Sequence, residues 1–170
     1  NRGTITINGG KALTLNGVIG GNSPINVVEI ANTATVNLNA NATLTKFNLT
    51  GANAVLNVAD TVEITGAVDA NGPGEGQLVF AGGGKVDGAI GANNALALIN
   101  ATGAGAVNLG NGNAVNATLI KVSHPGAVVT AAGAVTSDGK FMLGGTFNID
   151  DDLTGDIDFN NQAGTVNLHD

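Results

Sequence analysis

The sequence contains no cysteine, tryptophan or tyrosine, and it has only five phenylalanines in 170 residues. Large aromatic rings supply much of the buried area in ordinary globular cores, so this chain must build its core from small aliphatic side chains. The absence of cysteine excludes the disulfide framework that stabilises many small secreted domains. It suits a long chain that crosses an oxidising compartment unfolded, where free thiols would cross-link it.

Positive charge and long apolar runs are also scarce. Six basic residues against 13 acidic ones give a formal net charge of −7, which leaves no basic stripe to bind a phosphate backbone. Apolar runs such as Ala95–Ile99 are far too short to cross a bilayer, and no signal-peptide pattern is visible. We therefore expect no nucleic-acid partner and no transmembrane helix.

Glycine and asparagine are abundant and are spread evenly among alanine, valine, leucine and isoleucine. Both residues tolerate the positive φ angles of tight turns and disfavour helix interiors. A glycine-rich sequence could also be disordered, but the even spread of aliphatic residues argues against disorder. The composition predicts many short strands joined by many turns.

Alternation of apolar and polar residues marks the strands. It is clearest in these segments: Thr4–Ile7, Ala12–Leu15, Thr35–Leu38, Thr61–Ile64, Thr146–Ile149 and Thr165–Leu168. A related frame begins, at separations of about 19 to 31 residues, at Gly3, Ala34, Ala54, Gly76, Ala106, Gly145 and Gly164. A second element recurs near multiples of about 22 residues, at Gly17–Gly20, Gly66–Asp69, Gly88–Gly91 and Gly155–Asp158. Such periods are typical of solenoids.

These patterns predict an all-β parallel β-helix, or β-solenoid, with about 18 to 31 residues per coil. Each coil has three short strands and three turns, as in residues 76–91, and the crossover rule favours a right-handed coil. Seven or eight coils stack about 4.8 Å apart, with asparagine and threonine ladders along the stack. Longer coils carry loops, for which 20–28 and 123–126 are candidates. Residues 1–170 form a single segment, which we interpret as cut from a longer chain.

The glycine, asparagine, threonine, alanine and valine alphabet, together with units such as Gly76–Gly91, resembles the passenger domains of autotransporter proteins. The resemblance is greatest to the rickettsial surface cell antigens of the outer-membrane protein A and B type. It implies a virulence-associated adhesin, invasion factor or coat component outside the bacterial outer membrane. It also implies a C-terminal β-barrel anchor that this sequence lacks, and a host-cell surface protein as partner.

Candidate chemistry is sparse, and we predict no catalytic, cofactor-binding or metal residues and no enzyme. Ser123 and His124 are adjacent, so an extended backbone points them to opposite faces. Ser23 and Ser137 lack the nucleophile-elbow context. A β-helix enzyme acting on carbohydrate is one alternative, but it would need paired carboxylates, a cationic base and stacking aromatic rings, and the single arginine is Arg2.

An ice-binding β-solenoid is a second alternative, because Thr-x-Thr motifs occur at residues 4–6, 33–35 and 43–45. Such a surface needs the motif on one flat face in nearly every coil, and the later coils lack it. Both ends of the segment should expose unpaired coil edges, from which we expect end-to-end self-association.

Acidic residues from Asp150 to Asn161 match several ligand positions of an EF-hand loop. The last position is Asn161 instead of the bidentate glutamate, and the flanking segments alternate as strands. We interpret this segment as a polar turn and a solvated strand face, with an incidental Ca²⁺ site as the alternative. Glu29 and Glu63 are placed for an outward, solvated strand face.

Overall fold

The computed structural model describes the backbone of residues 3–169 and the side chains of residues 3–137 and 144–169. This part of the chain is all-β, and it contains no helix that could cross a membrane. The strands are β1 (Thr4–Ile7), β2 (Ala12–Leu15), β3 (Ile25–Ile30), β4 (Thr35–Leu38), β5 (Ala42–Leu49), β6 (Val55–Val58), β7 (Glu63–Ala70), β8 (Glu75–Phe80), β9 (Gly84–Val86), β10 (Leu96–Ala101), β11 (Gly105–Leu109), β12 (Val115–Val122), β13 (Ala127–Ala131), β14 (Val135–Leu143), β15 (Thr146–Ile149), β16 (Leu153–Asp158) and β17 (Thr165–Leu168).

Every named strand pairs in parallel with strands in the adjacent coils, on both sides except at the four strands that end the two sheets, so the chain is a parallel β-solenoid of about eight coils. Following the pairing gives three faces, which we name A, B and C. Face A passes through residues 5, 28, 47, 68, 90, 115, 135 and 153. Face B passes through residues 13, 36, 56, 78, 99, 120, 141 and 157. Face C passes through residues 19, 42, 64, 86, 109, 131, 149 and 168. The predicted fold class and three-sided coil are confirmed. The prediction of three separate short strands in each coil is wrong, because one strand of a coil commonly bends across two faces.

Coil length varies, and the variation is absorbed at the corners. Register partners in adjacent coils are 16 residues apart at Phe141 and Ile157 and 25 residues apart at Ile90 and Val115. Early strands such as β5 bend from face C onto face A, whereas later strands such as β12 bend from face A onto face B. Register shifts mark both bends, because an extra residue there turns the strand without breaking the stack.

Of the two loops predicted from the sequence, one is confirmed in full and the other only in part. Residues 123–126 link β12 to β13, as expected. Of residues 20–28, only 20–24 form a connection, because β3 begins at Ile25. Pro24 immediately precedes that strand, where its lack of an N–H removes no bond from the strand interior.

The core is built from apolar ladders on all three faces, and it includes further buried positions such as Phe80 and Phe147 beside those that define the faces. All positions that define the three faces are valine, isoleucine, leucine, alanine or phenylalanine. On the inner coils their side chains are buried, as Val36, Leu56 and Leu78 are on face B. Burying each such side chain contributes about 1.5–3 kcal/mol, but only when the coil above and the coil below cover it.

Glycines at the corners allow successive backbones to touch. A Cβ atom built on Gly103 would lie 1.9 Å from the carbonyl oxygen of Ala81 in the coil below, far inside van der Waals contact. A Cβ on Gly17 would meet nothing within 4 Å. Glycine is therefore required by close packing at the first position and not at the second.

This contrast predicts opposite effects of one substitution. Gly103→Ala should lower the free energy of unfolding by about 1–3 kcal/mol, because the methyl group forces two coils apart. Gly17→Ala should be neutral or slightly stabilising, by up to about 1 kcal/mol, because alanine restricts the unfolded chain. Urea denaturation followed by circular dichroism measures both, and equal effects of the two substitutions would contradict the proposed packing.

Candidate functional site

Two hydrogen-bonded ladders of polar side chains run along the outside of the solenoid. On face B, Asn37 Nδ2 donates to Thr14 Oγ1 at 3.5 Å, and Asn57 Nδ2 donates to Asn37 Oδ1 at 2.8 Å. These side chains sit at the same register position in successive coils, so each amide meets the one below. The predicted asparagine and threonine ladders are therefore present in the structure.

Face C carries the second ladder, near the C-terminal end. Asn148 Nδ2 donates to Thr130 Oγ1 at 3.3 Å, and Asn167 Nδ2 donates to Asn148 Oδ1 at 2.8 Å. An amide both donates and accepts, so a stack of them satisfies its members along the rod. The solenoid thus presents neutral polar strips on two of its three faces.

A shallow groove runs along face B across five coils, and the ladder lines the first three of them. Its lining combines amide and hydroxyl groups with small apolar side chains: Thr14, Asn37, Asn39, Asn57, Val58, Ala59, Val79, Ala81 and Thr102. At its N-terminal end Asn39 Nδ2 donates to Asn16 Oδ1 at 2.9 Å, which adds a second pair of amides beside the ladder. The groove could hold an extended segment through hydrogen bonds and shallow apolar contacts.

Asp69 is the one aspartate buried among the described side chains, and it anchors a turn from the next coil. Its Oδ1 accepts the backbone N–H groups of Ala70 at 3.1 Å and of Asn93 and Asn94 at 3.3 Å. Its Oδ2 accepts the side-chain amide of Asn93 and lies 3.8 Å from Lys46 Nζ. With both oxygens engaged, the carboxylate is a structural anchor for the turn.

A small ion cluster lies on face C, around Lys85. Its Nζ is 2.6 Å from Asp87 Oδ1 and 3.3 Å from Glu63 Oε1 in the coil below. The hydrogen bonds that Lys85 donates to Asp87 and then to Glu63 raise the pKa of Lys85 above its ordinary value. The ion cluster therefore stabilises the folded state at every pH below the ordinary lysine pKa, and this stabilisation is lost only as the pH rises through the raised pKa of Lys85. Lys85 is charged at neutral pH. Glu63 faces outward as predicted, but it is paired.

The serine and histidine candidates are not brought together. Ser123 Oγ donates to Asn100 Oδ1 at 2.7 Å, while His124 Nδ1 accepts the backbone N–H of Gly126 at 2.9 Å. Ser137 is buried and donates to the carbonyl oxygen of Thr118 at 2.9 Å. Each group is engaged in holding the coil to its neighbour or shaping a turn, and Ser23 lies exposed before β3. Ser123, His124 and Ser137 therefore do not form a nucleophile–base pair with one another.

The acidic segment does not wrap around a common point. Residues 153–158 form strand β16, in which Asp156 and Asp158 flank the inward position of Ile157. Asp150 pairs instead with His169 Nδ1 at 2.8 Å, and Asp151 accepts the backbone N–H of Asp152. Among the side chains described, no group of three acidic, histidine or cysteine residues is arranged to hold a metal ion.

The Thr-x-Thr motifs fall on different faces. Thr4 and Thr6 lie on face A, Thr35 lies on face B after a positive-φ turn at Thr33, and Thr43 lies on face C. They do not stack into one array of the kind that ice binding requires. Glu29 faces outward on face A and accepts a hydrogen bond from Thr6 Oγ1 at 3.2 Å. Arg2 lies outside the described residues.

Comparisons with protein-family models, with curated proteins and with solved structures found no match to this chain.

The buried carboxylate leads to a stability prediction. Asp69→Ala should lower the free energy of unfolding by about 2–4 kcal/mol, because three backbone N–H groups lose a charged acceptor in a buried position. Asp69→Asn should cost less, because one oxygen is kept. The matched control is Asp152→Ala on the exposed acidic segment, expected to change stability by less than about 0.5 kcal/mol. Urea denaturation measures all three, and a wild-type midpoint for Asp69→Ala would refute the anchoring role.

The extended geometry of β16 leads to a prediction about calcium. We expect the melting temperature to be the same in millimolar Ca²⁺ as in a chelator, because no three of the described acidic side chains are grouped to hold a metal ion. Differential scanning calorimetry at constant ionic strength tests this, with Mg²⁺ as the control for general screening. A rise specific to Ca²⁺ that is lost in Asp156→Asn would show that the segment is a calcium site.

Proposed function

We propose that this chain is a structural and adhesive segment of a bacterial surface protein, a passenger of the autotransporter type. In this proposal it lies outside the outer membrane, and its parent is held there by a β-barrel elsewhere in the parent chain. Its task is to contact host cells, in adhesion or invasion, or to form part of a surface coat. The observation that carries the proposal is the unbroken three-faced solenoid with polar ladders along its outer faces.

The rod form supports a display role. Eight coils at about 4.8 Å each span roughly 35 Å along the axis, and each coil adds the same rise whatever side chains it presents outward. Neighbouring coils supply one another's buried surface, so such a rod can be lengthened without a new core. Each added coil of about 20 residues therefore lengthens the rod by the same amount, which suits a protein that extends away from a membrane.

The outer surface supports an adhesive role at the face B groove. Surfaces that recognise extended partners commonly offer hydrogen-bonding groups at a regular spacing, and the groove offers amides from Asn37 and Asn57 one coil apart. Flanking small side chains such as Ala59 and Ala81 keep the groove open. We assign the host-cell contact to this groove in preference to the face C ladder, because the groove is concave and spans more coils.

Binding to cultured host cells tests the proposal. Fluorescently labelled chain should bind saturably, and Asn57→Arg should weaken the apparent Kd about tenfold or more, because the long side chain fills the groove and breaks the ladder. Asn148→Arg, the matched ladder position on face C, should leave the Kd within about twofold. The folded state of each variant is checked by its melting temperature.

The possible results separate the parts of the proposal. If Asn57→Arg and Asn148→Arg weaken binding equally, the effect is not specific to the groove and the contact lies elsewhere on the rod. If neither variant weakens binding, the groove is not the adhesive surface. No saturable binding by the wild-type chain would contradict the adhesive role itself.

A further inference from the structure

Functional groups from three successive coils meet beside face A, at the buried carboxylate of Asp69. Asp69 follows the inward residue Val68, and its side chain is 3% exposed. From the coil below, Lys46 places its Nζ 3.8 Å from Asp69 Oδ2, with its own side chain 33% exposed. From the coil above, Asn93 donates its side-chain amide to the same Oδ2. An amine and a carboxamide therefore contact one oxygen atom of an acid.

The backbone fixes two of these three groups. Asp69 Oδ1 accepts three backbone N–H groups, two of them from Asn93 and Asn94, so the carboxylate is held in one orientation. The side-chain amide of Asn94 donates to two carbonyl oxygens of the coil below, each at 3.2 Å, and so holds the turn that carries Asn93. Lys46 is the adjustable partner, because its four-carbon stem is flexible.

We propose that Lys46 and Asn93 become joined by an isopeptide bond, which the folded chain forms by itself with Asp69 as the proton carrier. The lysine amine replaces the amide nitrogen of the asparagine, so the product is a side-chain amide and the by-product is ammonia. The bond ties together two coils that are separated by the coil of Asp69. This inference does not depend on the adhesive role, because these groups lie at face A and the groove lies on face B.

The reaction balances without an oxidant, a cofactor or water. Asp69 Oδ2 takes a proton from the Lys46 ammonium, and the resulting amine attacks Cγ of Asn93 to form the new C–N bond. The Cγ–Nδ2 bond then breaks as Oδ2 passes protons on to Nδ2. Two of the three ammonium protons move in this way, so Nδ2 leaves as an ammonium ion. The third proton stays on the new amide, and Asp69 ends as a carboxylate again.

The position of the groups supplies the rate that free amines and amides lack in water. Groups held well oriented against each other react as if present at about 10⁵ M or more. The amide nitrogen of Asn93 already faces Asp69 Oδ2, which is the orientation that a departing nitrogen needs to receive protons. Asn93 itself lies at the surface, so the ammonium ion has a direct exit to solvent.

The ion cluster around Lys85 is a comparison within the same chain. Lys85 Nζ lies closer to its carboxylates than Lys46 does, at 2.6 Å from Asp87 and 3.3 Å from Glu63. Among the described contacts, however, neither of these carboxylates accepts a hydrogen bond from a side-chain amide. Lys85 therefore has an acid beside it but no amide nitrogen to replace, and we expect it to keep a free amine.

Tryptic digestion followed by tandem mass spectrometry tests the bond. Trypsin cuts after a free lysine, so a linked Lys46 should resist cleavage in the denatured wild-type chain while Lys85 is cut. The digest should contain residues 12–85 joined to residues 86–121 as one branched peptide. Its mass should be lower than the sum of the two parts by one ammonia, about 17 Da.

Two variants remove the reaction and keep the surrounding contacts. Lys46→Arg keeps a positive charge beside Asp69 but supplies no amine, and Asp69→Asn keeps one oxygen for the turn but carries no proton. Both should give separate peptides without loss of ammonia, and their melting transitions show that they are folded. The matched control is Lys85→Arg, which should form the branched peptide to the same extent as the wild type.

Three results would contradict the inference. Complete cleavage after Lys46 in the wild-type chain would overturn it. A loss of ammonia that leaves Lys46 open to trypsin would overturn it as well, because that loss comes from an asparagine that cyclises on its own backbone. A branched peptide in Asp69→Asn would overturn the role of Asp69 as the proton carrier.

Discussion

The structure depends on one constraint: every inward side chain must rest on the inward side chain of the coil below it. A single coil of about 20 residues cannot bury its own apolar face, so its stability comes from its neighbours. This constraint selects aliphatic residues at all three faces, as the stack of Val36, Leu56 and Leu78 shows. It also limits the coil length, because the inward residues of each coil must lie directly above those of the coil below whatever the number of residues between them.

The corners satisfy that constraint where the backbone changes direction. Glycine at Gly103 lets two coils approach so closely that no other residue fits, and asparagine takes positive φ at Asn111, Asn160 and Asn161. In the early coils a bent strand forms the corner between faces C and A, and in the later coils a bent strand forms the corner between faces A and B. This difference changes which residues form turns. It leaves the inward ladders intact, which explains how loosely similar repeats can build one regular rod.

The sequence predicts the fold class, the three-sided coil and most strands, because alternation and turn residues are local signals. It does not predict which face a segment occupies. The four similar elements around Ile19, Val68, Ile90 and Ile157 have near-integer spacings, yet the structure places them on face C, on face A twice, and on face B. Only Val68 and Ile90 are stacked partners. All three faces need the same kind of inward residue, so the same local pattern is compatible with any of them.

The same geometry explains why motif reasoning finds so little of the side-chain chemistry. Ser123 and His124 lie in the connection after β12 and are engaged by different partners. Consecutive residues of a strand point to opposite sides, which places Asp156 and Asp158 around an inward isoleucine in β16. The contacts that do form join residues one coil apart: Asp69 with Asn93, Glu63 with Lys85, and Asp150 with His169. Their spacings of about 19 to 24 residues are the coil period. A functional site on such a rod must therefore be assembled from residues one period apart, and a sequence search for it should pair side chains at that spacing instead of looking for contiguous motifs.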